Sequence, residues 1–103
     1  MQVTARSWKI LILQIVTNKV KAGKVAAYLE AAKLFIADQK QVPGCTAARI
    51  YGNGKQDEVV IVSSWESEAA MTSQYANEAF LKHKDFMKPY FIGNETLILR
   101  EIN

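Results

Sequence analysis

The sequence predicts a single α+β domain whose elements run β-α-β-β-α-β around an antiparallel sheet with its helices on one face. Three observations carry this. Four stretches rich in β-branched and aliphatic residues lie at about 8–17, 46–51, 58–65 and 95–102. Stretches of helical periodicity separate the first from the second and the third from the fourth. The 103-residue chain has the size of one domain and shows no linker, internal repeat or low-complexity segment.

Residues 1–7 are polar and irregular and read as a loose tail on a domain that takes in residues 1–103. The run W-K-I-L-I-L-Q-I-V-T, about 8–17, is the first strand. Gly23 then offers an N-cap. Val25, Leu29, Ala32 and Ile36 form a stripe at i, i+4, i+7 and i+11, with Tyr28 and Phe35 beside it, which predicts an amphipathic helix of about 16 residues. Lys40 stands in its last turn, ahead of Pro43-Gly44. A strand at about 46–51 and the turn-rich G-N-G-K-Q-D, 52–57, lead into the strand Glu58–Trp65. Ser67 can cap the next helix, with Glu66 and Glu68 at its positive end. Asn77 offers a second cap, which predicts a break there and a helix running on to about Met87, where Pro89 stops it. E-T-L-I-L-R-E-I supplies the last strand. The order is that of the ferredoxin-like split β-α-β unit.

Composition narrows the function classes. Half the residues are hydrophobic and 22% charged, as in an ordinary globular protein. The net charge of +3 is mild, and Lys19, Lys21 and Lys24, like Lys82, Lys84 and Lys88, read as solvated faces, so no nucleic-acid partner is expected. RNA-binding modules share the element order, but strand 58–65 has no aromatic before its terminal Trp65 and no K/R-G-F/Y pattern occurs. Arg6 and Lys9 before an apolar run have the layout of a signal peptide, yet Gln14 breaks the run, lysines follow, and no small-x-small site appears. No run approaches the roughly 20 apolar residues of a membrane span. A cytoplasmic protein without membrane contact is expected. Cys45, the single cysteine, reads as a small buried hydrophobe in a reducing compartment.

Alternation within the strands has a further implication. Ile10 and Ile12 share one face while Leu11, Leu13 and Ile15 share the other; Val59 and Ile61 oppose Val60 and Val62; Leu97 and Leu99 oppose Ile98 and Ile102. Three strands are apolar on both faces, but the helices suffice for one. A second copy packed sheet to sheet is the simplest cover, so a homodimer is expected.

Lys21-Ala22-Gly23-Lys24, Val42-Pro43-Gly44-Cys45 and V-V-I-V-S-S-W-E-S-E-A-A-M resemble the antibiotic biosynthesis monooxygenase-like family over residues 10–102. The resemblance implies a dimeric α/β barrel with a pocket in each subunit between sheet and helices. It also implies the activities found there: cofactor-independent oxidation of polycyclic phenols or hydroquinones, heme degradation, or isomerisation. Phenol-oxidising members carry an Asn four residues before the motif Trp and a Tyr six after it. Trp65 matches the motif, whereas those positions hold Ile61 and Met71. The heme-degrading pattern is also missing: its first-strand Asn falls near Val16, its helix Trp near Gln74 or Tyr75, and its His four residues after a Phe would fall on Lys84.

The expected function is a cofactor-independent monooxygenase acting on a small aromatic molecule; the alternative is a non-oxidative isomerase or small-molecule-binding member. His83, the only histidine, is the expected proton acceptor, since it shares a helix face with Phe80 and Met87. Trp65 either packs the rim or lines the pocket and orients a planar substrate. Tyr75, Phe80, Met71 and Ile61 complete the expected substrate contacts. Tyr28, Phe35, Phe86, Tyr90 and Phe91 read as core, and Met87 as a gap filler. Asn18 and Arg49 are within reach of a ligand but read as surface residues. No protein-held metal is expected from a single histidine and a single cysteine.

Overall fold

A computed structural model describes residues 11–102. The expected tail at 1–7 and the first residues of the expected first strand, Trp8 to Ile10, lie outside them. The elements are β1 (Ile12–Val20), α1 (Val25–Gln39), β2 (Cys45–Tyr51), β3 (Glu58–Trp65), α2 (Glu68–Met71), α3 (Gln74–Met87) and, after a 3₁₀ turn at Lys88–Tyr90, β4 (Phe91–Arg100). The sheet order is β2-β3-β1-β4 with every pairing antiparallel, so the α+β ferredoxin-like fold holds.

Several boundaries differ from those expected, each for a tertiary reason. β1 continues through Asn18-Lys19-Val20 because β3 and β4 pair with it on both sides, which outweighs the weak strand propensity of Asn and Lys. β4 begins at Phe91, opposite Val20, and carries Gly93 and Asn94 along the outer edge of the sheet. The helical break falls at Thr72-Ser73, where the Ser73 hydroxyl accepts from the Ala76 N–H; Asn77 lies inside α3. Ser67 caps α2 as expected, accepting from Ala70 N–H. α1 takes Lys24 as its N-cap without a side-chain bond, and Gly23, at φ +75°, makes the turn before it.

α1 buries Tyr28, Ala31, Ala32, Phe35 and Gln39. That stripe is centred on the aromatics, with Val25, Leu29 and Ile36 at its margin. These residues join Val20, Val59, Ile61 and Met87 in the main core. Phe86, expected inside, is exposed. Gly44 holds φ +88°, and a Cβ there would collide with the Cβ of Ala70. The turn before β2 thus requires glycine both for its backbone angle and for the close approach of α2.

The opposite face of the sheet has no helix among the described residues. Leu13, Ile15, Val60 and Val62 form its middle by register, with Leu97 and Leu99 alongside on β4. Leu97 is 54% and Leu99 44% exposed. The apolar second face read from strand alternation is therefore present, and no helix among the described residues covers it. No helix among the described residues is long and apolar enough to cross a membrane.

Candidate functional site

The floor of the site is the helix-facing side of the sheet. On β1 that side carries Ile12, Gln14, Val16, Asn18 and Val20, and register aligns Gln14 with Ser63 and Val16 with Ile61 on β3, and with Ile98 and Thr96 on β4. Polar residues therefore alternate into a surface that a plain core would keep apolar. Above it, α1, α3 and the α2–α3 junction leave a cavity of about 560 Å³. Its lining includes Gln14, Val16, Ile61, Ser63, Trp65 and Thr96 from the sheet, Tyr28, Phe35 and Gln39 from α1, and Met71 through Gln74, Ala76, Asn77, Phe80 and Met87 beyond β3. A second cavity of about 430 Å³ shares Tyr28, Phe80, Met87 and Asn94 with the first and adds Lys84, Lys88 and Phe91. Both volumes lie in the range of small-molecule sites.

Trp65 packs the core and also borders the cavity. It is 0% exposed, packs with Ile12 and Val42 as a second core cluster, and also forms a wall of the cavity. Its indole N–H donates to Ser63 Oγ at 2.9 Å, and that hydroxyl donates to Gln14 Oε1 at 3.3 Å. This chain fixes the ring plane and closes the polar groups of the floor upon one another. Phe35 and Phe80 meet edge to face, with centroids 6.0 Å apart. Of the other expected contacts, Phe80, Met71 and Ile61 line the cavity.

Two expected residues are placed elsewhere. Tyr75 is exposed, because it lies about 140° round α3 from Phe80 at 3.6 residues per turn. His83 is 9% exposed but lines neither cavity. It occupies the edge of α3 that α1 covers: its Nε2 lies 2.5 Å from Asp38 Oδ2, and its ring packs on Phe35 at 6.2 Å. Sharing a face with Phe80 did not put it in the cavity, because a step of three residues leaves it about 60° round the helix. Asn18 spends its amide on the carbonyls of Val16 and Val59, at 3.2 Å each, and Arg49 is exposed.

Asp38 also receives Lys82 Nζ at 3.3 Å. The hydrogen bond from His83, and secondarily Lys82, hold its carboxyl below the ordinary value. A carboxylate with a depressed folded pKa stabilises the protein above the unfolded value and loses that stabilisation as pH falls through the folded one. Thermal melts between pH 7 and pH 2 are therefore expected to fall more steeply for the wild type than for Asp38→Asn, the two curves converging below about pH 4. Parallel curves would show that the contact contributes nothing.

Burial pushes the Tyr28 phenol up to about 12, so it remains protonated in the cavity wall at neutral pH. The Cys45 thiol is also raised by burial, and its S–H points to Ala47 O at 3.4 Å, as suits a packing residue. The larger cavity has no Asp, Glu, His, Lys or Arg in its lining. No group of three His, Cys, Asp or Glu side chains suited to a metal occurs among the described residues.

Gln14, Ser63, Gln39, Asn94 and Thr96 are among the lining residues that sequence reasoning did not place at the site. A signal existed for two of them: Gln14 and Ser63 are polar residues that interrupt or end aliphatic runs in their strands.

A family model described as "Antibiotic biosynthesis monooxygenase" matches residues 11–85. Solved structures with this fold include a Nitrosomonas europaea protein named as a candidate antibiotic biosynthesis monooxygenase, with 16% identity and TM-score 0.79, covering 89% of this chain and 90% of that one. A conserved protein from Methanosarcina mazei Go1 is similar at 18% identity and TM-score 0.79, covering 91% and 95%. A Pseudomonas aeruginosa protein is similar at 16% identity and TM-score 0.78, covering 90% and 95%. At these identities the likeness shows the fold alone. Comparison with curated proteins found no match.

Proposed function

From the premise that this chain belongs to the antibiotic biosynthesis monooxygenase family, we propose that it oxidises a small phenol or hydroquinone in the cavity between sheet and helices, with dioxygen and without a cofactor. The observation that carries the reading is the aromatic, uncharged cavity of about 560 Å³ walled by Trp65, Phe35 and Phe80. A planar electron-rich substrate lies against these rings and loses its hydroxyl proton. The phenolate passes one electron to dioxygen, and the radical pair recombines at a ring carbon that still carries hydrogen, opposite the oxygen in a phenol and beside it in a hydroquinone. Loss of water from that hydroperoxide leaves a quinone: one oxygen atom forms the new carbonyl, and the other leaves as water with the hydrogens of the broken C–H and O–H bonds. Walls without ionised side chains suit this, because dioxygen is apolar and a fixed pocket holds the radical pair together. The proton passes to water at the mouth, since no side chain that titrates near neutrality lines the cavity.

Substrate-dependent oxygen uptake across naphthols, anthrols and hydroquinones, with one dioxygen per quinone, is the expected result. Trp65→Phe, which frees Ser63 and unfixes the ring, is expected to lower kcat/KM about 3- to 10-fold, the equivalent of one neutral hydrogen bond. Uptake no faster than the uncatalysed rate across the panel overturns the proposal. The same absence of an acid or base on the wall favours a second reading, a non-oxidative small-molecule-binding member, whose signature is ligand-raised melting without turnover.

The active form in this proposal is a homodimer, in which a second copy covers the apolar sheet face and completes a dimeric α/β barrel. Leu97 and Leu99, exposed within one chain, support it. A cytoplasmic location belongs to the same reading.

A further inference from the structure

We propose that Gln39 selects the ligand of the main cavity, its side-chain carbonyl accepting a hydrogen bond from a ligand hydroxyl. This deepens the reading above and rests on it for the aromatic body of the ligand, but the role of Gln39 follows from separate observations. Gln39 stands in the last turn of α1, is 8% exposed, and lines the cavity. Its Oε1 is the only buried side-chain nitrogen or oxygen among the described residues that has no hydrogen-bond partner. Buried polar atoms are nearly always paired, so an orphan at a cavity wall marks a place where something else supplies the donor.

The neighbouring polar groups do not supply it. Trp65 donates to Ser63, and Ser63 to Gln14. α1 ends three residues before Val42, which packs on Trp65, so Gln39 is at the Trp65 end of the cavity. A ligand ring against Trp65 would bring an edge substituent toward that turn. An uncharged acceptor calls for an uncharged donor, because the larger cavity offers no carboxylate to balance a cation. A carbonyl acceptor also favours the protonated form of its donor. The hydroxyl on Gln39 is therefore not the one that ionises in oxidation, and the preferred ligand carries two oxygens, one to be recognised and one to react.

The test compares 1-naphthol with 1-fluoronaphthalene, which has nearly the same shape but no donor. For the wild type, 1-naphthol is expected to bind about 5- to 100-fold more tightly, the cost of leaving a buried acceptor unmet. In Gln39→Leu that preference is expected to shrink to about twofold or less through loss of 1-naphthol affinity, while the ligand-free variant melts at or above the wild-type temperature because no polar atom is left orphaned. Equal affinities in the wild type, a preference that survives in Gln39→Leu, no binding of either compound, or a variant melting well below the wild type each overturns the assignment. A Gln39-dependent preference without oxygen uptake on any substrate leaves this inference standing while the oxidative reading fails.

Discussion

Replacing Trp65 with alanine is expected to cost about 3–5 kcal/mol, the range for removing a large buried aromatic. The residue is fully buried, holds Ile12 to Val42, and carries the one indole hydrogen bond to Ser63. A domain of this size holds about 5–15 kcal/mol in all, so the variant approaches or passes its folding limit. At about 4–8 °C per kcal/mol, the melting temperature is expected to fall by about 12–40 °C. Trp65→Phe keeps most of the volume and should lose much less, which separates the ring's packing from its hydrogen bond. Urea titration with an unchanged slope is the measurement. A loss below about 1 kcal/mol would mean that the helices close over the vacated space and that Trp65 is chiefly a cavity wall.

Leu97→Lys is expected to separate the proposed dimer while leaving the fold of each chain intact. The side chain sits on edge strand β4, opposite Ile15, on the face that no helix among the described residues covers. Within one chain it is largely in water, so lysine is tolerated there. Under a second sheet, the ammonium would be taken from water without a partner, a loss of about 3–5 kcal/mol that weakens association about a hundredfold or more. Sedimentation at micromolar concentration should give a dimer for the wild type and a monomer for the variant. A wild-type monomer would remove the dimer altogether.

Much of this molecule is legible without coordinates because local periodicity encodes it. The strand Glu58–Trp65 is built around the aliphatic run Val59–Val62 and has the bounds read from the sequence, and Ser67 caps the helix that follows it. The apolar second face of the sheet follows from alternation alone. The site was less legible. Trp65, Ile61, Met71 and Phe80 were reached through motif and neighbourhood, and they meet in one cavity. His83 has the chemistry of a proton acceptor, but chemistry does not say which way a helix turns. α1 takes its edge of α3, and Asp38 takes its nitrogen. Asn77 looked like a cap by residue type, yet Ser73 occupies the break.

By itself, then, the sequence determined the order of elements, the antiparallel α+β class and the strands that are apolar on both faces, since each is a property of neighbours along the chain. Tertiary structure alone decided that Gln14 and Ser63 close a hydrogen-bonded floor under Trp65, that His83 belongs to a helix–helix contact, and that Gln39 is left with an unmet carbonyl. The physical reason is that a polar side chain takes its role from the partners within about 3 Å, and those partners come from strand register and helix rotation.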